Sequence, residues 1–356
     1  MTEKKAKGAR KKETAGERSI RDTSFQVMFS FHKFIIPAVR NIREEQESMP
    51  SLPVEGKRKD ETGAGLRSAL AAYVTWGLLP LYWKFLAEVP ALEILSHRIV
   101  WSMLFVSAIL LFQGRISEIS AIFRSPGTMF LLFLSSLFIG ANWLVYIWAV
   151  NAGKVLETSL GYYTNPLMNV FLGFLFFRER MERIQWLAIL VAAAGVLFQV
   201  ARYGKFPWVA LTLATSFALY GLIRKQVRVD AIPGLLTETS FLALPALLYL
   251  AHAGASSRGL FLAGDPERDL LLLGTGIVTS VPLLWFAFGA RRLRLSTLGF
   301  LQYVAPTLTF ILGTVFFHEP LDMPKVVTFV CIWIALALYT WGSLRASRRV
   351  SGIVEA

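Results

Sequence analysis

The chain has 356 residues, 54% of them hydrophobic, and a mean hydropathy of +0.51, which excludes an ordinary soluble domain. A net charge of +13 would suit nucleic acid, but 15 of the 37 Lys and Arg fall in residues 1–67 and most others lie in short loops between apolar runs. Membrane orientation produces that distribution, so a nucleic-acid partner is set aside. Cys331 is the single cysteine and the four histidines are scattered, which excludes an intrachain disulfide and gives no metal-ligand spacing.

In chain order, residues 1–67 read as a basic cytoplasmic tail without the apolar core of a secretory signal. The tail is expected to be disordered or a mis-started extension, with Met28 or Met49 as alternative starts; the competing reading makes Phe25–Val39 an interfacial helix. Ten candidate spans follow: Ser68–Leu86, Ala91–Phe112, Met129–Val150, Val155–Phe177, Ile184–Ala201, Phe206–Ile223, Pro233–His252, Leu270–Ala290, Leu295–Phe317 and Pro324–Gly342. Each has the length of a helix crossing about 30 Å of hydrocarbon, and each is apolar on every side, unlike the alternating strands of a barrel. The expected fold is therefore an all-α integral membrane protein of ten transmembrane helices, with residues 343–356 as a short tail.

Basic residues orient the set. With the amino terminus inside, Arg115, Arg124, Arg178, Arg180, Arg183, Arg224, Lys225, Arg228, Arg291, Arg292 and Arg294 all lie in internal loops. The external loops hold fewer: Lys154, Arg202, Lys205, Arg258, Arg268 and Lys325. Both termini are expected in the cytoplasm.

The fourth and ninth spans are two versions of one segment. Leu160-Gly161, Asn165-Pro166, Gly173, Phe176-Phe177 and Glu179 align with Leu298-Gly299, Ala305-Pro306, Gly313, Phe316-Phe317 and Glu319. Ala69–Lys84 aligns with Ala210–Lys225 at nearly the same separation, and Pro90 corresponds to Pro233. Residues 68–201 and 206–342 are thus expected to be two five-helix repeats, and because five is odd the second is inserted upside down. The competing explanation is chance similarity among apolar helices.

Paired, interrupted spans in equivalent halves point to a transporter's substrate site. Pro166 and Pro306 are expected to break their helices near the midplane, where freed carbonyls are tolerated only against protein or a water-filled cavity. Around them stand Tyr162, Asn165, Asn169, Gln302 and Tyr303, with Tyr163, Thr164, Thr307 and Thr309 between. Tyr162, Asn165 and Asn169 share one helical face. With Asn142, Tyr146 and Trp76 as weaker candidates, these residues describe a cavity with aromatic walls and neutral hydrogen-bonding groups. The alternative is that the polar groups only link helices. Glu179 and Glu319, which follow Phe-Phe in both copies, suit a shared turn-stabilising role.

Charged residues inside spans form a second signal. Lys84, Glu93, Arg98 and Glu157 all lie toward the outer side, with His97 one turn beyond Glu93. Two cations and two carboxylates suggest a self-neutralising cluster lining an outer vestibule, with Glu93 or Glu157 as the counter-ion of Arg98 and His97 titrating near neutral pH. Snorkelling at helix ends is the competing reading for Lys84, Glu93 and Glu157. Glu238 is the one such carboxylate expected near the inner side. No phosphate-binding loop or metal-ligand pair is present, so neither a cofactor nor an enzyme is expected.

On the motifs WGLLPLYWK (76–84), VPALEILSHRIVWS (89–102), NWLVYIWAVN (142–151), LETSLGYYTNPL (156–167) and RLSTLGFLQYVAPTLTF (294–310), the chain resembles the RarD-type branch of the EamA family, in the drug/metabolite transporter superfamily. The resemblance covers residues 66–342 and implies ten helices in two five-helix repeats, cytoplasmic termini, the bacterial inner membrane and secondary transport. Some RarD-type members are named chloramphenicol-sensitive proteins. The expected function is export of small organic molecules by alternating access, driven by protons or another gradient, with a passive channel for a small polar metabolite as the alternative.

Overall fold

A proline at the mouth of an apolar run has no N–H to lose and holds the backbone ready for a first helical turn. In the computed structural model this is how α2 begins: Pro90 is extended (φ −54°, ψ 134°) and Ala91–Phe112 follows as one helix. The structure describes residues 55–177, 183–203, 206–227, 229–256, 258–290, 292–293 and 301–354. The interfacial-helix candidate Phe25–Val39 lies outside them, as do Glu179 and most of the first half of the ninth span.

Before α2 comes α1 (Glu55–Phe85), and after it α3 (Ser117–Phe123), α4 (Pro126–Asn151), α5 (Val155–Phe177), α6 (Arg183–Tyr203), α7 (Trp208–Gln226), α8 (Ala231–Ala255), α9 (Pro266–Ala290), α10 (Val304–Ile311) and α11 (Met323–Val354). No strand occurs among the described residues. Two differences from the sequence reading stand out. Helix α1 starts at Glu55, before the expected Ser68, because KRKDET is a run of helix-compatible polar residues that hydropathy alone leaves out. The short α3 is new, a polar and half-exposed turn of helix between the second and third spans.

Helices α2 and α4 end in the same way. Gly114 (φ +66°) and Gly153 (φ +69°) adopt the left-handed conformation that favours glycine. Beyond them Arg115 N–H reaches the Leu110 carbonyl and Lys154 N–H reaches Ala149, closing paired terminal bonds that satisfy the last carbonyls. The chain can then reverse within a few residues, which makes successive helices antiparallel.

Among the described residues six helices are long and apolar enough to cross a membrane: Ala91–Phe112, Pro126–Asn151, Arg183–Arg202, Ala231–Ala255, Pro266–Gly289 and Met323–Gly342. Trp208–Arg224 and Val304–Phe316 are shorter apolar helices. Their outward faces are apolar too, as at Leu190, Leu197, Leu244 and Leu248, each more than 60% exposed. A hydrocarbon surroundings covers such faces where water would not. The helix α2 is the most enclosed, with every residue from Glu93 to Val100 buried. It packs on α8 and α9; α1 packs on α9 and α10, α4 on α7 and α8, and α6 pairs with α11.

Candidate functional site

Two glycines set the geometry. A side-chain carbon at Gly161 would stand 2.8 Å from the Ala210 carbonyl oxygen, and one at Gly77 would stand 2.7 Å from Leu308. Their absence brings α5 against α7 and α1 against α10. Between these contacts α5 and α10 meet directly: Ser159 Oγ donates to the Pro306 carbonyl at 2.8 Å, and the Tyr163 and Thr307 hydroxyls bond at 2.7 Å. Beyond α10, Glu319 accepts from the backbone N–H groups of Val155 (2.6 Å) and Leu156 (2.9 Å), which open α5. A carboxylate there satisfies donors that have no partner inside the helix. Burial raises the Glu319 carboxyl above its ordinary value, while those two N–H groups, Lys325 and Lys84 act the other way.

The two prolines behave differently, which corrects the expectation of a break at each. Pro306 stands in the first turn of α10, just after a turn at Gln302–Tyr303, where a missing N–H costs nothing. The chain then passes through a π-helical turn at Leu312–Phe316, an irregularity frequent at functional sites. Pro166 instead remains inside α5, whose helix continues on both sides of it. The 23 residues of α5 and its close approach to α7 at Gly161 hold that segment together, where the eight-residue α10 gives way.

Beside the α5–α10 contact, Asn142 of α4 joins three helices. Its Nδ2 donates to the Leu213 carbonyl and to Ser216 Oγ, both at 3.0 Å, and its Oδ1 accepts from the Tyr162 hydroxyl at 3.3 Å. Tyr162 lies edge-on to Tyr146 (5.6 Å between centroids) and to Phe217 (6.1 Å). The Tyr146 hydroxyl faces Thr309 of α10, whose own hydroxyl bonds the Ala305 carbonyl at 3.0 Å. Asn142, Tyr146 and Tyr162 are thus brought together. Trp76 packs against Tyr73 and Phe286, a turn away on α1 and α9.

The other expected lining residues divide. Asn165 is buried, and its Oδ1 has no hydrogen-bond partner, an arrangement that favours a ligand or water at that atom. Gln302 is half-buried; Tyr303 joins a second cluster with Tyr163, Phe310 and Tyr339. Asn169 is exposed and does not share the enclosed face of Asn165.

The five charged residues do not form one ion-paired cluster. Glu93, 1% exposed, accepts from the backbone N–H groups of Leu260 (2.7 Å) and Phe261 (3.3 Å). Glu157 pairs with Lys154 at 3.6 Å, and Lys84 lies over the Phe317 ring at 5.4 Å. His97 accepts from Trp101 Nε1 at 3.1 Å and stacks on its ring. That leaves Arg98 between the faces of Trp143 (4.1 Å) and Trp83 (5.3 Å), with no carboxylate within salt-bridge distance among the described residues. The two tryptophan faces take the place of the expected counter-ion. Backbone donors outcompete Arg98 for Glu93 because a loop with unpaired N–H groups needs an acceptor as much as a cation does.

Sequence reasoning missed one constellation. Ser135 of α4 donates to Glu238 of α8, and Arg224 of α7 approaches the same carboxylate at 3.6 Å, with Tyr220 beside both. A side chain at Gly234 would collide with the guanidinium, so that glycine makes the room. Glu238 was visible as a buried acid, but nothing in the sequence paired it with Arg224.

With this geometry in place, the comparisons decide the family. The model of the EamA-like transporter family matches residues 63–201 and again 206–341. The chain belongs to the EamA-like transporter family. Protein RarD of Escherichia coli is 45% identical over 291 residues, covering 82% of this chain and 98% of that protein. An uncharacterized transporter of Bacillus subtilis, YojE, is 45% identical over 298 residues, covering 81% and 97%. The chloramphenicol-sensitive protein RarD of Pseudomonas aeruginosa is 32% identical over 292 residues, covering 81% and 97%. This EamA protein is therefore a RarD-type, multi-pass membrane transporter. A crystal structure of a protein at 20% identity aligns with a TM-score of 0.51 over 80% of this chain and 99% of that one, a likeness of fold alone.

Proposed function

We propose that this EamA transporter is a secondary transporter that exports small organic molecules across the bacterial inner membrane by alternating access, driven by protons or another gradient. Ten spans in two inverted repeats, 68–201 and 206–342, are the frame of the proposal, with both termini in the cytoplasm. The helix contacts support it because they come in pairs. The contact of α1 with α9 is matched by that of α7 with α4, and that of α2 with α9 by that of α8 with α4. The contacts of α2 with α8 and of α6 with α11 join equivalent helices of the two halves, and the close approach of α1 to α10 at Gly77 has its counterpart in that of α5 to α7 at Gly161. An inverted duplication produces such pairing, and alternating access proceeds by one repeat rocking against the other.

The observation that carries the site is the meeting of α5 and α10 at Ser159–Pro306 and Tyr163–Thr307, beside the enclosed Asn142–Tyr146–Tyr162 group. Tyr162, Asn165, Gln302 and Tyr303 supply the binding face, with Asn142, Tyr146 and Trp76 behind it and Asn169 at its margin. Because one relative is named for chloramphenicol sensitivity, amphenicols belong in the first substrate screen. In proteoliposomes, saturable counterflow of a retained solute is the expected behaviour, reduced at least tenfold by Asn165→Ala with insertion unchanged. Non-saturating flux without counterflow would instead mark a channel.

A further inference from the structure

Arg98 is 5% exposed and held between two tryptophan faces, yet its Nε and Nη1 are buried without any hydrogen-bond partner. Aromatic faces interact above and below the guanidinium plane and cannot accept the hydrogens that lie in it. The carboxylates of the spans are engaged elsewhere: Glu93 through Oε1 by Leu260 and Phe261, Glu157 by Lys154 and Glu238 by Arg224. Arg98 also lies within electrostatic reach of the Tyr146 and Tyr162 hydroxyls, so its free donors border the proposed binding face. A guanidinium cannot shed its proton to relieve this, and its hydrogens match a carboxylate in charge and geometry.

We propose that Arg98 is the recognition group for a carboxylate on the transported molecule, and that the substrates are small organic acids whose apolar or aromatic body lies against Tyr146 and Tyr162. This rests on the transporter reading and names its substrate class.

The test uses the purified full chain in lipid nanodiscs, titrated calorimetrically with acetate, benzoate and indole-3-acetate and with their primary amides. At least one carboxylate is expected to bind ten times more tightly than its amide, and to lose that advantage in Arg98→Gln while keeping part of it in Arg98→Lys. If Arg98→Gln does not fold, Arg98→Lys and the wild-type acid-to-amide ratio carry the decision. No carboxylate preferred over its amide, or a preference unchanged in Arg98→Gln, overturns the proposal. Counterflow with amides and amines separates the two readings: flux of neutral or cationic solutes alone sinks the carboxylate proposal and leaves transport standing, whereas no flux of any class sinks transport itself.

Discussion

Glu238→Leu is expected to lower stability by roughly 3–5 kcal/mol, because it strands a guanidinium in a buried site. Glu238 is 1% exposed, and the Arg224 side chain that approaches it is 17% exposed. The Ser135 hydroxyl would fall back on the Leu132 carbonyl at 3.0 Å. Thermal unfolding in detergent should register this as a fall on the order of 10 °C. Joining Glu238→Leu to Arg224→Met is expected to recover most of the loss, since two apolar groups of similar volume need no partners. A double variant no better than the single would mean that the carboxylate serves something other than the pair.

The two asparagines of the central region should part company in the same assay. Asn142 spends its amide on Leu213, Ser216 and Tyr162, whereas Asn165 leaves Oδ1 free. Asn142→Leu therefore leaves the buried Tyr162 hydroxyl without its acceptor, at about 1–3 kcal/mol for an unsatisfied group, while Ser216 keeps the Thr212 carbonyl. It is expected to lower both thermal stability and transport. Asn165→Ala removes an acceptor that nothing in the protein uses, so transport should fall with little change in unfolding temperature. Equal stability losses in the two variants would place Asn165 among the structural links and remove it from the binding face.

The loss of the Glu319 cap belongs with these contacts. Glu319→Ala leaves the Val155 and Leu156 N–H groups without their acceptor, and about 1 kcal/mol of destabilisation is expected from the cap alone. Hydrogen exchange should rise in the first turn of α5 and leave α2 unaffected; uniform change across both helices would contradict a local cap.

Much of this is legible in the sequence. Length and hydropathy locate α2, α4, α6, α8, α9 and α11, because a bilayer demands a long apolar run and little else does. The meeting of α5 and α10 was legible from their shared pattern. Partner choice was not. Glu93 stands five residues before Arg98 on the same helix, yet bonds backbone N–H groups of Leu260 and Phe261, and no side-chain pattern advertises a loop with spare donors. Trp83 and Trp143 read as ordinary packing because aromatic faces serve lipid, core and cation alike. The proline rule failed at Pro166 for a related reason: it describes a local cost, and the packing of Gly161 on Ala210 is a long-range gain.

The central claim is that a five-helix unit was duplicated and flipped, so that α2–α4 and α8–α9 connections face opposite sides of the bilayer. In a Cys331→Ser background, Arg124→Cys and Arg258→Cys are treated with an impermeant maleimide, first on intact cells and then on everted vesicles. The account predicts that Arg258→Cys is labelled only in cells and Arg124→Cys only in vesicles. Labelling of both from one side would contradict it.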